Sequence, residues 1–192
     1  MRSYVRLTLA VGLFIVLMLP VPLVAAKASG QPEPQAYSLS IVASGNWNQN
    51  PAFSCPPQCS SNARFGGSGT LTYSNATFSS SMSVTISGNT HANWAGVNRN
   101  HPCTSFSSSI DMTTASHDKI HMQVSGVECL TFLRGRWTGQ NTLSGTYTIT
   151  SGEGLFSQAS GSGSISGTAY PRHSVWSADA FGSIAFVPKG DE

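Results

Sequence analysis

The residues best suited to acid–base chemistry are Asp111 and His121, which flank a predicted β-hairpin. A turn at residues 115–117 would place the two directly opposite each other, and a carboxylate beside an imidazole can orient a general base. Both side chains would lie on the face opposite to Ile110 and Ile120, which we expect to be the solvent face. The sequence offers no nucleophile beside them, so we predict an exposed cross-strand pair and no catalytic residues.

Other patterns that could carry chemistry are weak, and we predict no metal and no cofactor. His117 and His121 would sit about 13 Å apart on a strand, too far to share a metal. His91 and His101 fall in an irregular segment that could bring them together, but polar loop residues are the expected interpretation. The glycines of residues 152–163 precede no helix that could receive a pyrophosphate, so they are not a dinucleotide motif.

The four cysteines Cys55, Cys59, Cys103 and Cys129 predict two disulfides in an exported chain. Of the three possible pairings, the hairpin register favours Cys103–Cys129, because the same three-residue turn sets them opposite each other. Cys55 would then pair with Cys59. The alternative joins the 55–59 loop to Cys103 and Cys129. Zinc binding is disfavoured by the spacing and by an oxidising compartment.

The N-terminal residues predict a destination outside the cytoplasm. Residues 1–26 have the basic, apolar and small-residue order of a signal peptide, with cleavage expected after Ala26 or Ala28. The alternative is an uncleaved anchor, since residues 7–26 could just span a bilayer. We expect residues 27–36 to be a linker and the mature protein to be secreted or held in the cell envelope.

The composition excludes several classes of protein. Ser and Thr together make up 47 of 192 residues, and only 9% of residues are charged, which rules out a coiled coil. Without residues 1–26 the chain has no net charge, which is unsuitable for binding nucleic acid. Arg134 and Arg136 are the only close basic pair, and we expect them to be solvated. We therefore predict no membrane partner once the signal is removed.

Alternating apolar residues predict eight to ten short strands and no helix of useful length. Regular turns between them indicate an antiparallel sandwich or barrel. The pattern thus predicts a single all-β domain over residues 37–188, followed by a tail at residues 189–192. We expect Gly126 to mark a bulge.

The most specific segment is the glycine-rich turn within residues 147–170. Its pattern is an apolar strand, Gly-x-Gly-x-Phe, two residues, Ala and Gly-x-Gly, at Gly152, Gly154, Phe156, Ala159, Gly161 and Gly163. It resembles the strand–turn–strand motif of the allene oxide cyclase and dirigent-like barrels, including exported bacterial members of unassigned role. The resemblance implies a barrel of about eight antiparallel strands, with Phe156 and Ala159 plugging one end. The catalytic carboxylates of that family have no matching positions here, so its enzyme activity is not implied.

Three functions are compatible with these features. The first is an exported, non-catalytic barrel that binds an apolar or carbohydrate ligand or a cell-surface partner; the second is a cyclase or dirigent-like enzyme that shapes a reactive apolar substrate. The third is a structural envelope or matrix protein. An apolar pocket would favour the first two, and a buried acid in that pocket would favour the enzyme. Four tryptophans are the candidate ligand-binding residues, although residues of this type more often form core and rim: Trp47, Trp94, Trp137 and Trp176.

Overall fold

A computed structural model describes residues 33–47 and 60–187 of the chain. The predicted signal peptide at residues 1–26, residues 27–32 of the predicted linker, Cys55, Cys59 and the tail at residues 189–192 lie outside the described residues. The first strand starts at Gln35, so the last two residues of the predicted linker already belong to the barrel.

The eight strands form one closed antiparallel barrel in which each strand pairs with its neighbours in the sequence and the last pairs with the first. The prediction of a single all-β barrel is therefore confirmed. The strands have 11 to 18 residues and are longer than expected. They are β1 (Gln35–Trp47), β2 (Ser60–Ser74), β3 (Ser79–Asn93), β4 (Cys103–Thr114), β5 (Lys119–Leu133), β6 (Arg136–Glu153), β7 (Ser160–Tyr170) and β8 (Val175–Phe186).

The strands are strongly staggered around the barrel. A path of directly paired residues that starts at Trp47 and crosses every strand returns to β1 at Tyr37, ten residues from its start. Such a stagger tilts the strands against the barrel axis and, with eight strands, leaves an interior just wide enough for side chains or one small ligand. Every residue on the path faces inward. The intermediate members are Phe65, Gly88, Ile110, Met122, Ile149, Gly161 and Ile184.

Alternation along each strand separates an apolar interior from a hydroxyl-rich wall. Leu39, Ile41 and Ala43 on β1 are buried, while the residues between them point outward. Outward hydroxyls pair across strands, as in the contact of Thr72 Oγ1 with Ser81 Oγ at 3.1 Å. Because Ser and Thr replace the usual charged residues, the wall is neutral and still favours the strand conformation.

One end of the barrel is closed by aromatic rings, and we call it the plugged end. Phe156 is fully buried there, with its ring centroid 5.2 Å from Phe186 and 6.0 Å from Tyr73. Tyr37 stacks on Phe186 at 4.9 Å. The expected burial of Phe156 is thus confirmed, and edge-to-face contacts between these rings add to the apolar burial.

The turn that carries Phe156 joins β6 to β7. Gly154 takes a φ of +67°, where a side chain would be strained and would also meet the Asp118 carboxylate. That carboxylate accepts a hydrogen bond from the Leu155 backbone N–H at 2.8 Å, which ties the turn to the β4–β5 connection. Gly152, the first glycine of the same motif, has no positive φ. It is needed for space, since an added Cβ would lie 2.9 Å from Phe156 Cβ.

The β4–β5 hairpin has the predicted register. A three-residue turn closes with His117 at a φ of +66°, as expected for a type I turn followed by a left-handed residue. Cys103 and Cys129 consequently face each other and form a disulfide. The bulge expected at Gly126 is wrong, because Gly126 pairs regularly with Gly145. The register shifts instead between His121 and Met122, and again between Leu130 and Phe132.

Replacing Phe156 by Ala should lower the free energy of unfolding by about 3–5 kcal/mol, the usual cost of removing a buried Phe. Phe181→Ala is the matched control because Phe181 lies on the outer wall with 55% of its surface exposed. Urea titration of both variants measures the difference. Equal midpoints for Phe156→Ala and the parent would contradict the role of this ring as a plug.

Removing the disulfide with Cys103→Ala and Cys129→Ala together should destabilise the protein by about 2–4 kcal/mol, since the bond closes a loop with a sequence separation of 26. For a chain of this size the melting temperature should fall by about 5–15 °C. Calorimetry of the double variant tests this, and an unchanged transition would mean that the bond does not constrain the chain.

Candidate functional site

The end of the barrel opposite the plug carries all four tryptophans, and we call it the tryptophan end. Trp47 closes β1, Trp94 follows β3, Trp137 is the second residue of β6, and Trp176 is the second residue of β8. Strands of alternating direction bring these four distant positions to one end. The sequence had identified the residues as candidates but contained no sign that they gather there.

An apolar cavity of about 90 Å³ lies in the half of the barrel nearer the tryptophan end. Trp47 and Trp176 line it, whereas the rings at the plugged end contribute nothing to its lining. Thr90, Ser108, Ser166 and Ser177 are also among the lining residues, but the surface of the cavity is almost entirely apolar. All eight strands contribute apolar residues, among them Ile41, Phe65, Ile86, Ile110, Val124, Leu143, Ile165 and Trp176.

The two tryptophans that line the cavity have unused hydrogen-bonding capacity. The indole N–H groups of Trp47 and Trp176 are buried and have no hydrogen-bond partner within residues 33–47 and 60–187. Both rings are held edge-on against Phe65, with centroids 5.6 Å apart in each pair. A buried N–H without a partner costs about 1–3 kcal/mol.

A second unpartnered group, the Tyr147 hydroxyl, lies deeper in the core. Its ring packs over two glycines, and an added Cβ would come within 2.7 Å of the ring at Gly163 and 2.5 Å of the hydroxyl at Gly182. The hydroxyl has no hydrogen-bond partner in the described part of the chain, and burial raises the pKa of Tyr147 to about 12. Tyr147 is not among the residues that line the cavity.

The tryptophan end also contains a buried carboxyl group that sequence reasoning missed. Glu128 Oε1 accepts a hydrogen bond from Asn141 Nδ2 at 2.7 Å, and Asn141 Oδ1 accepts one from Trp137 Nε1 at 3.1 Å. Burial raises the pKa of Glu128. Because side chains alternate along a strand, Glu128 lies on the same inward face of β5 as Ile120 and Met122, and this alternation could have predicted its burial. The Arg172 guanidinium stacks on Trp137, 5.0 Å from the ring centroid.

The predicted Asp111–His121 pair exists and lies on the outer wall near the plugged end. His121 Nδ1 is 2.6 Å from Asp111 Oδ1, and its Nε2 is 3.5 Å from Glu153 Oε1. Lys119 Nζ donates to Glu153 Oε2 at 2.8 Å. The hydrogen bond to Asp111 raises the pKa of His121, and the bond to Lys119 lowers the pKa of Glu153. None of these four residues lines the apolar cavity, so the cluster fits a set of cross-strand ion pairs.

The other histidines have ordinary polar contacts. His91 Nδ1 lies 2.8 Å from Asn62 Oδ1 on the outer wall, and His101 belongs to the β3–β4 connection. In the described residues no three His, Cys, Asp or Glu side chains are grouped so that they could hold a metal ion. The same residues contain no helix long and apolar enough to cross a membrane.

Comparison with protein families, with curated proteins and with solved structures finds no match to this chain. The geometry of the cavity and of the tryptophan end is therefore the basis for a functional proposal.

Stability should depend on pH through His121. Because its pKa is raised on folding, its contribution is complete below the ordinary histidine value and is lost as the pH rises through the raised pKa. Relative to His121→Gln, the parent should be more stable in mild acid, and this advantage should disappear in alkali. Exposed pairs contribute about 0.2–1 kcal/mol, so the difference in melting temperature is about 1–4 °C.

The partner variant Asp111→Asn should remove most of that advantage, since Asp111 is the main cause of the raised pKa. Ser109→Ala, on the same outward face and without a contact to His121, is the control. Melting curves of the parent, Asp111→Asn and Ser109→Ala across the pH range test this expectation. A pH profile of Asp111→Asn identical to that of the parent would refute the assignment.

Proposed function

We propose that this protein is an exported, non-catalytic barrel that binds a small, mainly apolar ligand carrying a hydrogen-bond acceptor. The observation that carries the proposal is the pair of unpartnered indole N–H groups, of Trp47 and Trp176, on residues that line one apolar cavity. Burial of the ligand's apolar part supplies most of the affinity, and the two donors supply its orientation.

The volume of the cavity limits what it can enclose. Apolar cavities of about 150 Å³ remain dry and bind benzene. At about 90 Å³, this cavity accepts a ligand, or the enclosed part of one, no larger than a single small ring. Carbohydrate is disfavoured there, because the surface of the cavity is almost entirely apolar and would leave the hydroxyls of a sugar without partners.

The enzyme alternative has less support. A reactive pocket needs an acid or base that faces the substrate. The one buried carboxylic acid among the described residues, Glu128, is hydrogen-bonded to Asn141 and is not among the residues that line the cavity. A purely structural role also has less support. A barrel with that role would be expected to have a filled interior, and this one contains a cavity.

Export and membership of the allene oxide cyclase and dirigent-like barrels are further proposals. The signal-like order of residues 1–26 supports export, and the Cys103–Cys129 disulfide is compatible with it. The closed eight-stranded barrel and the buried Phe156 are compatible with the family resemblance.

Benzene and pyridine form a matched pair of probes, because they have the same size and differ in one acceptor atom. The preference for pyridine over benzene, measured by calorimetry, should fall about fivefold in Trp47→Phe and again in Trp176→Phe, since each variant removes one donor and keeps most of the ring. Ala180→Leu, which adds bulk to the lining, should abolish binding of both probes.

Phe181→Leu on the outer wall serves as the control and should bind both probes like the parent. Binding of benzene that survives Ala180→Leu would place the site elsewhere. An unchanged pyridine preference in both tryptophan variants would contradict the proposal that the indole N–H groups bind a hydrogen-bond acceptor of the ligand.

A further inference from the structure

The arginines of the barrel are concentrated around the tryptophan end. Arg99 lies in the β3–β4 connection, Arg134 and Arg136 in and beside the β5–β6 turn, and Arg172 in the β7–β8 connection. Arg64, five residues into β2, completes the set. All five side chains are exposed, and none forms an ion pair with a carboxylate of the described residues.

Most of the acidic residues lie at or near the plugged end instead. Glu33 precedes β1, Asp118 follows the turn between β4 and β5, and Glu153 ends β6, all at the plugged end. Asp111 is near them. Two acids lie toward the tryptophan end in the described ranges: Glu128, which is buried, and Asp179, which is exposed and is the fifth residue of β8. The barrel therefore has a basic end, although its charges nearly cancel overall.

The Arg99 side chain lies against the turn that carries Arg134 and Arg136. The β5–β6 turn has positive φ at both Arg134 and Gly135, a hairpin turn that places Arg134 at its tip beside Arg136. The Arg99 guanidinium lies against Gly135 of the same tip, with Nη1 3.1 Å from the position a Cβ would take. Gathering like charges is unfavourable, and an external anion would relieve the repulsion.

Large apolar side chains stand exposed among these arginines. Leu133 precedes the β5–β6 turn with 67% of its surface exposed, and Tyr170 and Val175 flank Arg172 with 37% and 38% exposed. Basic residues alternating with exposed apolar residues at the tips of connections suit the interface of a bilayer, where the apolar groups enter below anionic headgroups. A dissolved polyanion would engage the arginines but leave the apolar groups in water.

We propose that the tryptophan end docks on a membrane surface that contains anionic phospholipid. The arginines contact the headgroups, and Leu133, Tyr170 and Val175 enter the interfacial layer. The sequence predicts no membrane partner because the five arginines are scattered over residues 64–172; only the closed barrel gathers them at one end. The docked face is the one nearer the ligand cavity, so an apolar ligand could pass from the lipid phase. The docking proposal does not rest on that ligand.

Vesicle co-sedimentation of the full chain tests the docking. Binding to phosphatidylcholine vesicles that contain phosphatidylglycerol should exceed binding to phosphatidylcholine alone and should decline with salt. Each arginine near an anionic surface contributes about fivefold, so Arg134→Gln with Arg136→Gln should weaken binding by about tenfold or more. Leu133→Ser should weaken it severalfold. The N-terminal segment is the same in every variant, so differences between variants report this end of the barrel.

Two controls match these variants. Lys119→Gln removes a cation at the plugged end, and Phe181→Ser removes an exposed apolar group from the wall; both should bind vesicles like the parent. Equal binding to neutral and anionic vesicles, or equal losses in Lys119→Gln and the arginine variant, would overturn the proposal. An effect of the arginines without one of Leu133 would also overturn it, because it would show that the apolar side chains do not enter the interfacial layer. Unchanged melting temperatures confirm that each variant is folded.

Discussion

Pairing of β1 with β8 is the constraint on which the rest of the barrel depends. It leaves no strand edge free and fixes the stagger, and the stagger sets the width of the interior. At that width the chain can fill one end with the rings around Phe156 and still leave a small space beside Trp47 and Trp176 at the other. Tight packing at one end thus coexists with a cavity at the other.

Much of the fold could be predicted from local sequence, because strands, turns and hairpin register are local properties. Alternation predicted antiparallel strands, the motif resemblance implied the barrel, and the three-residue turn correctly set Cys103 opposite Cys129 and Asp111 opposite His121. The bulge could not be placed in this way, since it depends on how β6 fits β5. The cavity, the burial of Glu128 and the meeting of four tryptophans depend on closure, which joins residues that are far apart in the chain.

The polar groups inside the barrel differ in how fully they are hydrogen-bonded. Glu128 and Asn141 satisfy each other, and Trp137 is held between Asn141 and the Arg172 side chain. Within residues 33–47 and 60–187 the indole N–H groups of Trp47 and Trp176 have no such partner, which lowers the stability of the barrel. A site that is costly when empty is expected where a ligand completes it, because natural proteins retain such costs mainly at functional positions.

The disulfide-linked hairpin of β4 and β5 has a consequence for the order of folding. Its contacts are local, its turn is short, and one covalent bond closes its far end, so it can form early in the middle of the chain. The β1–β8 seam, by contrast, joins the first strand to the last and carries the largest loop-closure entropy. If the chain emerges N-terminus first from an export channel, the barrel stays open until β8 has crossed. Emergence of the last strand then limits the rate at which native protein appears.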